Sequence, residues 1–155
     1  MNNLDEFLII PLQYDHCEQV YVVAKESLPE HWSLEGIRDV LKYDNNIYYV
    51  AIDHVCDRVI GFGGIMIVAD EAELLNIAVA KDYRQHGIAD AILKELVSDA
   101  KNSGAYRMLL EVRQHNDVAY NFYINNSFVV IGQRKNYYDN PPDDAIIMEK
   151  VFEQE

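Results

Sequence analysis

Leu75-Asn76-Ile77-Ala78-Val79-Ala80-Lys81-Asp82-Tyr83-Arg84-Gln85-His86-Gly87-Ile88-Ala89 is the stretch on which the fold turns. It starts as an apolar strand, crosses a short polar loop and opens a helix with a glycine and a small residue. The helix is legible from its apolar face. Ile88, Ile92, Leu93, Leu96, Val97 and Ala100 recur on one side of a 3.6-residue period, and Asn102-Ser103-Gly104 ends it. The first N–H groups of a helix lack partners within it, and its dipole is positive at that end, so the turn offers a place for an anion. Gly87 permits close backbone approach, Ala89 leaves the helix start uncluttered, and Arg84 adds a permanent positive charge. The turn is not a P-loop, lacking the Gly-Lys-Ser/Thr end, nor a dinucleotide fingerprint, lacking its glycines. An ordinary strand-to-helix turn reads the same way locally.

C-terminal to this stretch, Tyr106–Arg113 reads as a strand and Asp117–Asn125 as a helix with Asn116 at its N-cap. Phe128–Gly132 reads as a further strand, Tyr137–Asp144 as a loop, since it holds two prolines and three aspartates, and Ala145–Phe152 as the last strand. On the other side, Phe7–Ile10 is a short strand stopped by Pro11, and His16–Leu28 a helix with Asp15 as its cap. Pro29–Trp32 is a loop, and Ser33 caps a helix from Leu34 to Tyr43. Ile47–Asp53, Val59–Ala69 and Ala72–Val79 form an antiparallel meander. Gly61-Phe62-Gly63-Gly64 lies inside a strand and marks a bulge or a close backbone approach. The order suggests a single α/β domain over residues 1–155, with a mixed sheet and a βαβ unit in its second half.

Half of the 155 residues are apolar, enough for a core without staples. The 26 acidic residues outnumber the 13 basic ones, for a net charge of -13, which argues against nucleic acid and against a basic membrane-surface patch. A cationic peptide or an amine is the easier partner. Cys17 and Cys56 lie far apart and the five histidines show no metal-ligand spacing, so no metal is expected. The longest apolar run, Val59–Ala69, is about half the roughly 20 residues of a membrane span. The acidic, polar start is unlike a signal peptide, which points to the cytoplasm.

Three segments carry candidate chemistry. Glu111 sits within the apolar strand Met108–Arg113, where alternation puts Leu109, Glu111 and Arg113 on one face. Partial burial there would raise its carboxyl toward a useful general base; pairing with Arg113 at a sheet edge is the plainer alternative. Tyr120 and Tyr123 share a helix face, as aromatic core or as a phenol able to protonate a leaving group. Arg134-Lys135-Asn136-Tyr137-Tyr138 runs into Asp139, Asp143 and Asp144, as a solvated loop or as a cup for a cationic substrate.

Taken together, Leu75–Val79, Tyr83-Arg84-x-x-Gly87-Ile88-Ala89, Leu110-Glu111-Val112-Arg113-x-x-Asn116, Ala119-x-x-x-Tyr123 and Arg134-x-Asn136-Tyr137-Tyr138 followed by Asp144–Met148 resemble the GNAT acetyltransferase superfamily. Within it they are most similar to the RimI-type group, which acetylates the N-terminal alanine of a ribosomal protein. The resemblance implies a mostly antiparallel mixed sheet, splayed in the middle and flanked by about four helices. It implies acetyl-CoA in the splay, with pantetheine along Ile77, Ala78 and Val79, and pyrophosphate at the turn of Arg84, Gln85, His86, Gly87, Ile88 and Ala89. Asn116 matches a further cofactor contact, Glu111 the general base and Tyr123 the general acid. Trp32, Tyr137 and Tyr138 fall on the acceptor side. The implied reaction is direct transfer to a protein N-terminal α-amine, a basic ribosomal-protein tail suiting the acidic charge. The alternatives are a lysine side chain, a polyamine or another small amine as acceptor, and a non-catalytic acetyl-CoA sensor. Three departures from the family pattern stand out: Gln85 in place of an arginine, Asp90 where a basic residue is common, and Asn126-Ser127-Phe128 in place of Leu-Gly-Phe.

Overall fold

The apolar runs and helix signals become seven strands and four helices, in a computed structural model that describes residues 7–28 and 32–153. In chain order these are β1 (Phe7–Pro11), α1 (Cys17–Ser27), α2 (Leu34–Asp39), β2 (Asn46–Asp53), β3 (Arg58–Val68), β4 (Glu71–Val79), α3 (Ile88–Asn102), β5 (Arg107–Arg113), α4 (Asp117–Asn125), β6 (Val129–Asp139) and β7 (Pro142–Val151). The acidic start and the Pro29–His31 part of the expected loop lie outside the described residues.

The strands form one sheet in the order β1-β2-β3-β4-β5-β7-β6. Every pairing is antiparallel except β4 with β5. That parallel pair needs a crossover, and α3 supplies it, making the expected βαβ unit. Each face of the sheet has its own core. Ile88, Ile92 and Leu96 of α3 pack with Met108, Leu110 and Met148 on one face. Val20, Val23 and Ile37 of α1 and α2 pack with Tyr48, Val50 and Phe62 on the other. The glycines of β3 serve both readings made of them. A Cβ at Gly63 would lie 2.7 Å from Ile92, and one at Gly64 would lie 2.1 Å from the Tyr48 ring. The register also shifts at Gly64/Ile65: Gly64 pairs with Asn76 and Ile65 with Leu74, leaving Leu75 as the extra residue of a bulge in β4.

Four sequence expectations are corrected. Asp15 does not cap α1; it lies inside a 3-10 turn, Tyr14–His16, where Gln13 and His16 cap each other and the His16 ring accepts from the Gln13 N–H at 3.0 Å. Ser33 does cap α2, accepting from the Gly36 N–H at 3.0 Å, but α2 ends at Asp39 and Val40–Lys42 tightens into a 3-10 turn. The strand begun at Phe128 does not stop at Gly132. Nor is Tyr137–Asp144 a loop: β6 runs to Asp139 and β7 starts at Pro142, making a hairpin around Asn140-Pro141. The polar residues that argued for a loop repair the ladder where it is irregular. Asp144 accepts from the Asn136 N–H at 2.8 Å and from the Gln133 side chain at 2.7 Å, across the register shift between Arg134 and Tyr138. Pro142 stands first in its strand, where a missing N–H is tolerated.

Candidate active site

The parallel pairing of β4 and β5 is short. Glu71 meets Arg107, Ala72 meets Met108 and Glu73 meets Leu109, and there it stops. β4 stays bound to β3 as far as Val79, and β5 to β7 as far as Arg113, so the two strands part like a V. A cavity of about 330 Å³ occupies this region, lined by Glu73–Ile77 of β4, Glu111–Arg113 of β5, Asn116, Ala119 and Tyr123 of the α4 region, Tyr137 and Tyr138 of β6, and Leu28.

Glu111 is half-buried at the splay. The Tyr137 phenol hydrogen-bonds to its carboxylate, which raises the phenol's pKa. The Oε2 atom of Glu111 is buried with no hydrogen-bond partner among the described residues, and so is Oδ1 of Asn76. Tyr123 comes from α4, held edge-on by Phe122 at 5.3 Å and Phe128 at 5.6 Å. Burial, helped by Tyr138, pushes its phenol up to about 12, so it remains a proton donor at neutral pH. Tyr137 and Tyr138 meet edge to face at 5.0 Å. Arg113 lies 4.2 Å from the Tyr138 ring centre and donates to the carbonyls of Pro141 at 2.8 Å and Asn140 at 3.4 Å. It thereby ties β5 to the hairpin tip. His115 and Asp143 make a second tie, ring to carboxylate at 2.8 Å and main-chain N–H to carboxylate at 3.1 Å. The Asp143 hydrogen bond raises the His115 pKa above 6.5.

The other arm of the V runs from Val79 to Ala89. Here four hydrogen bonds involving side chains hold the segment in place. Tyr83 donates to Asp53 at 2.8 Å, Lys81 N–H to Glu26 at 2.7 Å, and Arg84 to the Val79 carbonyl at 3.0 Å and Ser27 at 3.1 Å. Gln85 and Gly87 both have left-handed backbones, φ 66 and 80, which fold the chain into the first turn of α3. Gly87 is the N-cap and offers no side-chain acceptor, so the leading N–H groups of α3 are left for a ligand. Asp90 accepts from Asn126 at 3.1 Å, which holds its charge against α4.

Ile77, Glu111, Asn116, Tyr123, Tyr137 and Tyr138 are thus gathered around one cavity. Ala78 and Val79 continue β4 toward the Arg84–Ala89 turn, which lies beyond the lining. Ala78 and Ile88 have buried side chains, so only their main chain is available to a ligand. Asn116 caps α4 with its side-chain oxygen, accepting from the Ala119 N–H at 3.1 Å. Trp32 packs 5.8 Å from Tyr48 and is not among the cavity lining. Leu28, Glu73 and Asn76 line the cavity without being candidate site residues in the sequence, and so does Arg113, expected only as a partner for Glu111. For Asn76 the signal was an amide amid the apolar run Leu74–Val79. Among the described residues no cluster of His, Cys, Asp and Glu is suited to a metal, and no helix is long and apolar enough to cross a membrane.

This geometry has relatives. The ribosomal protein bS18 alanine N-acetyltransferase of Salmonella typhimurium is 28% identical over 139 residues, covering 83% of this chain and 94% of that protein. The crystal structure of the ribosomal-protein-S18-alanine N-acetyltransferase from Escherichia coli superposes with a TM-score of 0.86 at 26% identity, covering 96% of each chain. Ard1 from Thermoplasma volcanium superposes with a TM-score of 0.87 at 26% identity, covering 96% of this chain and 99% of that one. The model of the acetyltransferase (GNAT) family matches residues 17–127, and with the splayed sheet and its cavity this establishes that the chain belongs to the GNAT acetyltransferase family.

Proposed function

We propose that this enzyme transfers the acetyl group of acetyl-CoA to the N-terminal α-amine of a protein, an alanine at the start of a small-subunit ribosomal protein. The observation that carries the reading is the Glu111 carboxylate at the splay, with one buried oxygen unpartnered and the Tyr123 phenol around the same cavity. The names of the Salmonella and Escherichia relatives support the acceptor. The net charge of -13 suits a basic tail.

The roles follow from the chemistry. An α-amine has a pKa of about 7.7–8.0, so much of it is protonated at neutral pH and cannot attack. Glu111 removes that proton, directly or through a water. The amine attacks the thioester carbonyl, and a main-chain N–H on the β4 arm meets the oxyanion. Tyr123 protonates the departing thiolate. Pantetheine runs along Ile77, Ala78 and Val79 as an added strand. The pyrophosphate rests on the N–H groups of Gln85 to Ala89, with Arg84 and Asn116 as further contacts. Trp32, Tyr137 and Tyr138 bound the acceptor side. Residues 1–155 act as one catalytic domain.

The test is intact-mass analysis of two arginine-rich peptides with internal lysines, both starting with alanine, one with a blocked N-terminus. Acetyl added only to the free peptide is the expected result. Acetyl on both shifts the acceptor to lysine, and acetyl on neither removes the peptide reading.

A further inference from the structure

Three buried side-chain polar atoms that lack a hydrogen-bond partner among the described residues fall in one row across the sheet: Tyr48 Oη, Asn76 Oδ1 and Glu111 Oε2. Tyr48 of β2 pairs with Gly64 of β3, and Gly64 pairs with Asn76 of β4. Direct cross-strand partners share a face. Tyr48 belongs to the core on the α1/α2 side, so Asn76 faces that side too. On β5, Met108, Leu110 and Val112 belong to the opposite core, so Glu111 also faces the α1/α2 side. Asn76 stands three residues beyond the last β4–β5 pair and Glu111 two beyond it, the difference being the bulged Leu75. The two residues therefore stand level across the splay, Asn76 on β4 before the Val79–Ala89 arm begins, and both line the cavity. Glycine at position 64 is what makes the row polar at its far end, because the ring carbon bearing the Tyr48 hydroxyl would be 2.2 Å from any Cβ there.

The unmatched atoms of the two cavity residues are both acceptors, Asn76 Oδ1 and Glu111 Oε2. Each lacks a donor, and one group carrying two hydrogens can serve both. We propose that Asn76 is a second substrate-binding residue that shares the acceptor amine with Glu111. One N–H of the amine goes to each oxygen, and the remaining direction, that of the lone pair, is left for the thioester. This rests on the reading of the chain as an amine acetyltransferase and deepens it.

The test uses Asn76→Ala and Asn76→Asp in the full chain, with acetyl-CoA affinity by calorimetry and thermal stability measured alongside. Asn76→Ala is expected to lower kcat/KM for the acceptor about tenfold, the worth of one hydrogen bond to the amine, with acetyl-CoA affinity kept. Asn76→Asp keeps the acceptor atom and adds a second carboxylate, which favours the ammonium form. Its pH–rate profile is therefore expected to rise at higher pH than the wild type's. The other ionisable groups around the cavity are Glu73, Arg113, Tyr123, Tyr137 and Tyr138, and all are unchanged in both variants. Unchanged acceptor kinetics in Asn76→Ala, as when water alone fills the gap, overturns the proposal. So does a loss in Asn76→Asp without displacement of the profile. Should the wild type acetylate a lysine or a small amine instead, the α-amine reading falls, while the same ratios measured on that amine still decide the role of Asn76.

Discussion

One arm of the V, from Val79 to Ala89, offers a ligand mainly main chain; the other, from Glu111 round to Tyr138, offers side chains. On the first arm several side chains face the core or hold the turn in place: Ile88 is buried, Tyr83 is tied to Asp53 and Arg84 to Val79. On the second the carboxylate of Glu111 and the phenols of Tyr123, Tyr137 and Tyr138 surround the cavity. Main-chain N–H groups suit a constant partner such as a pyrophosphate, because they bind without depending on side-chain identity. Side chains suit the reacting amine, because a proton must move. The departures from the family pattern fit this division. Gln85, which stands in place of an arginine, adopts a left-handed backbone at φ 66 on the main-chain arm.

The division predicts that damage to the side-chain arm lowers kcat and damage to the main-chain arm raises KM for acetyl-CoA. The largest effect is expected from Glu111→Gln, roughly a 10²–10⁴-fold loss of kcat with little change in acetyl-CoA KM, read by steady-state kinetics. A comparable rise in acetyl-CoA KM would break the comparison. Tyr123→Phe is expected to lower kcat by about 10²-fold. Because the Tyr123 phenol is pushed up to about 12, it stays protonated through the working range. Wild-type kcat is therefore expected to show no fall from this group between about pH 8 and 10. A fall there that vanishes in Tyr123→Phe would keep the phenol as the acid and show that burial does not raise it.

Gly87→Val tests the opposite arm. Gly87 has φ 80, where an L side chain costs about 1–2 kcal/mol. Acetyl-CoA KM is expected to rise about tenfold with kcat nearly kept. An equal loss of kcat would blur the two arms.

Two smaller effects concern what supports the site. Ser127 has φ 71 where the family pattern carries glycine. Ser127→Gly is expected to stabilise the protein by about 1 kcal/mol, seen as a higher urea midpoint without change in activity. At the hairpin, burial would raise the Asp143 carboxyl, but hydrogen bonds from His115 and Asp144 outweigh it and hold it below 3.8. The same contact raises His115 above 6.5. The charged contact is therefore complete below pH 6.5 as long as Asp143 stays ionised, fades as pH rises through the raised His115 value, and is lost in acid as Asp143 protonates. Asp143→Asn is expected to return the His115 titration, followed by NMR, toward 6.5. Since the ring is exposed, only a slight change in stability accompanies it. An unmoved titration would show that the hairpin tip is not held this way.

The two arms were also unequally legible. The β4–α3 arm could be read from residue order, because its signals are local: an apolar strand, a glycine needing φ 80, and a helix whose buried face repeats every 3.6 residues. The β6–β7 arm could not. Its prolines and aspartates look like a loop, and only the partner strand shows that they cap and repair a hairpin. Asp15 misled for a related reason, since the chain enters α1 through a 3-10 turn that Gln13 and His16 cap together.

Local pattern thus settled the element order, the presence of a βαβ unit and, with the family resemblance, the residues proposed for catalysis. Tertiary structure alone decided that β7 inserts between β5 and β6 and that β4 and β5 part after Glu73. It also decided that a bulge at Leu75 brings Asn76 level with Glu111. Hydrogen bonding along one segment is written in that segment's period. Where a ladder stops, shifts or admits a third strand depends on which distant strands pack there, and no local period records that.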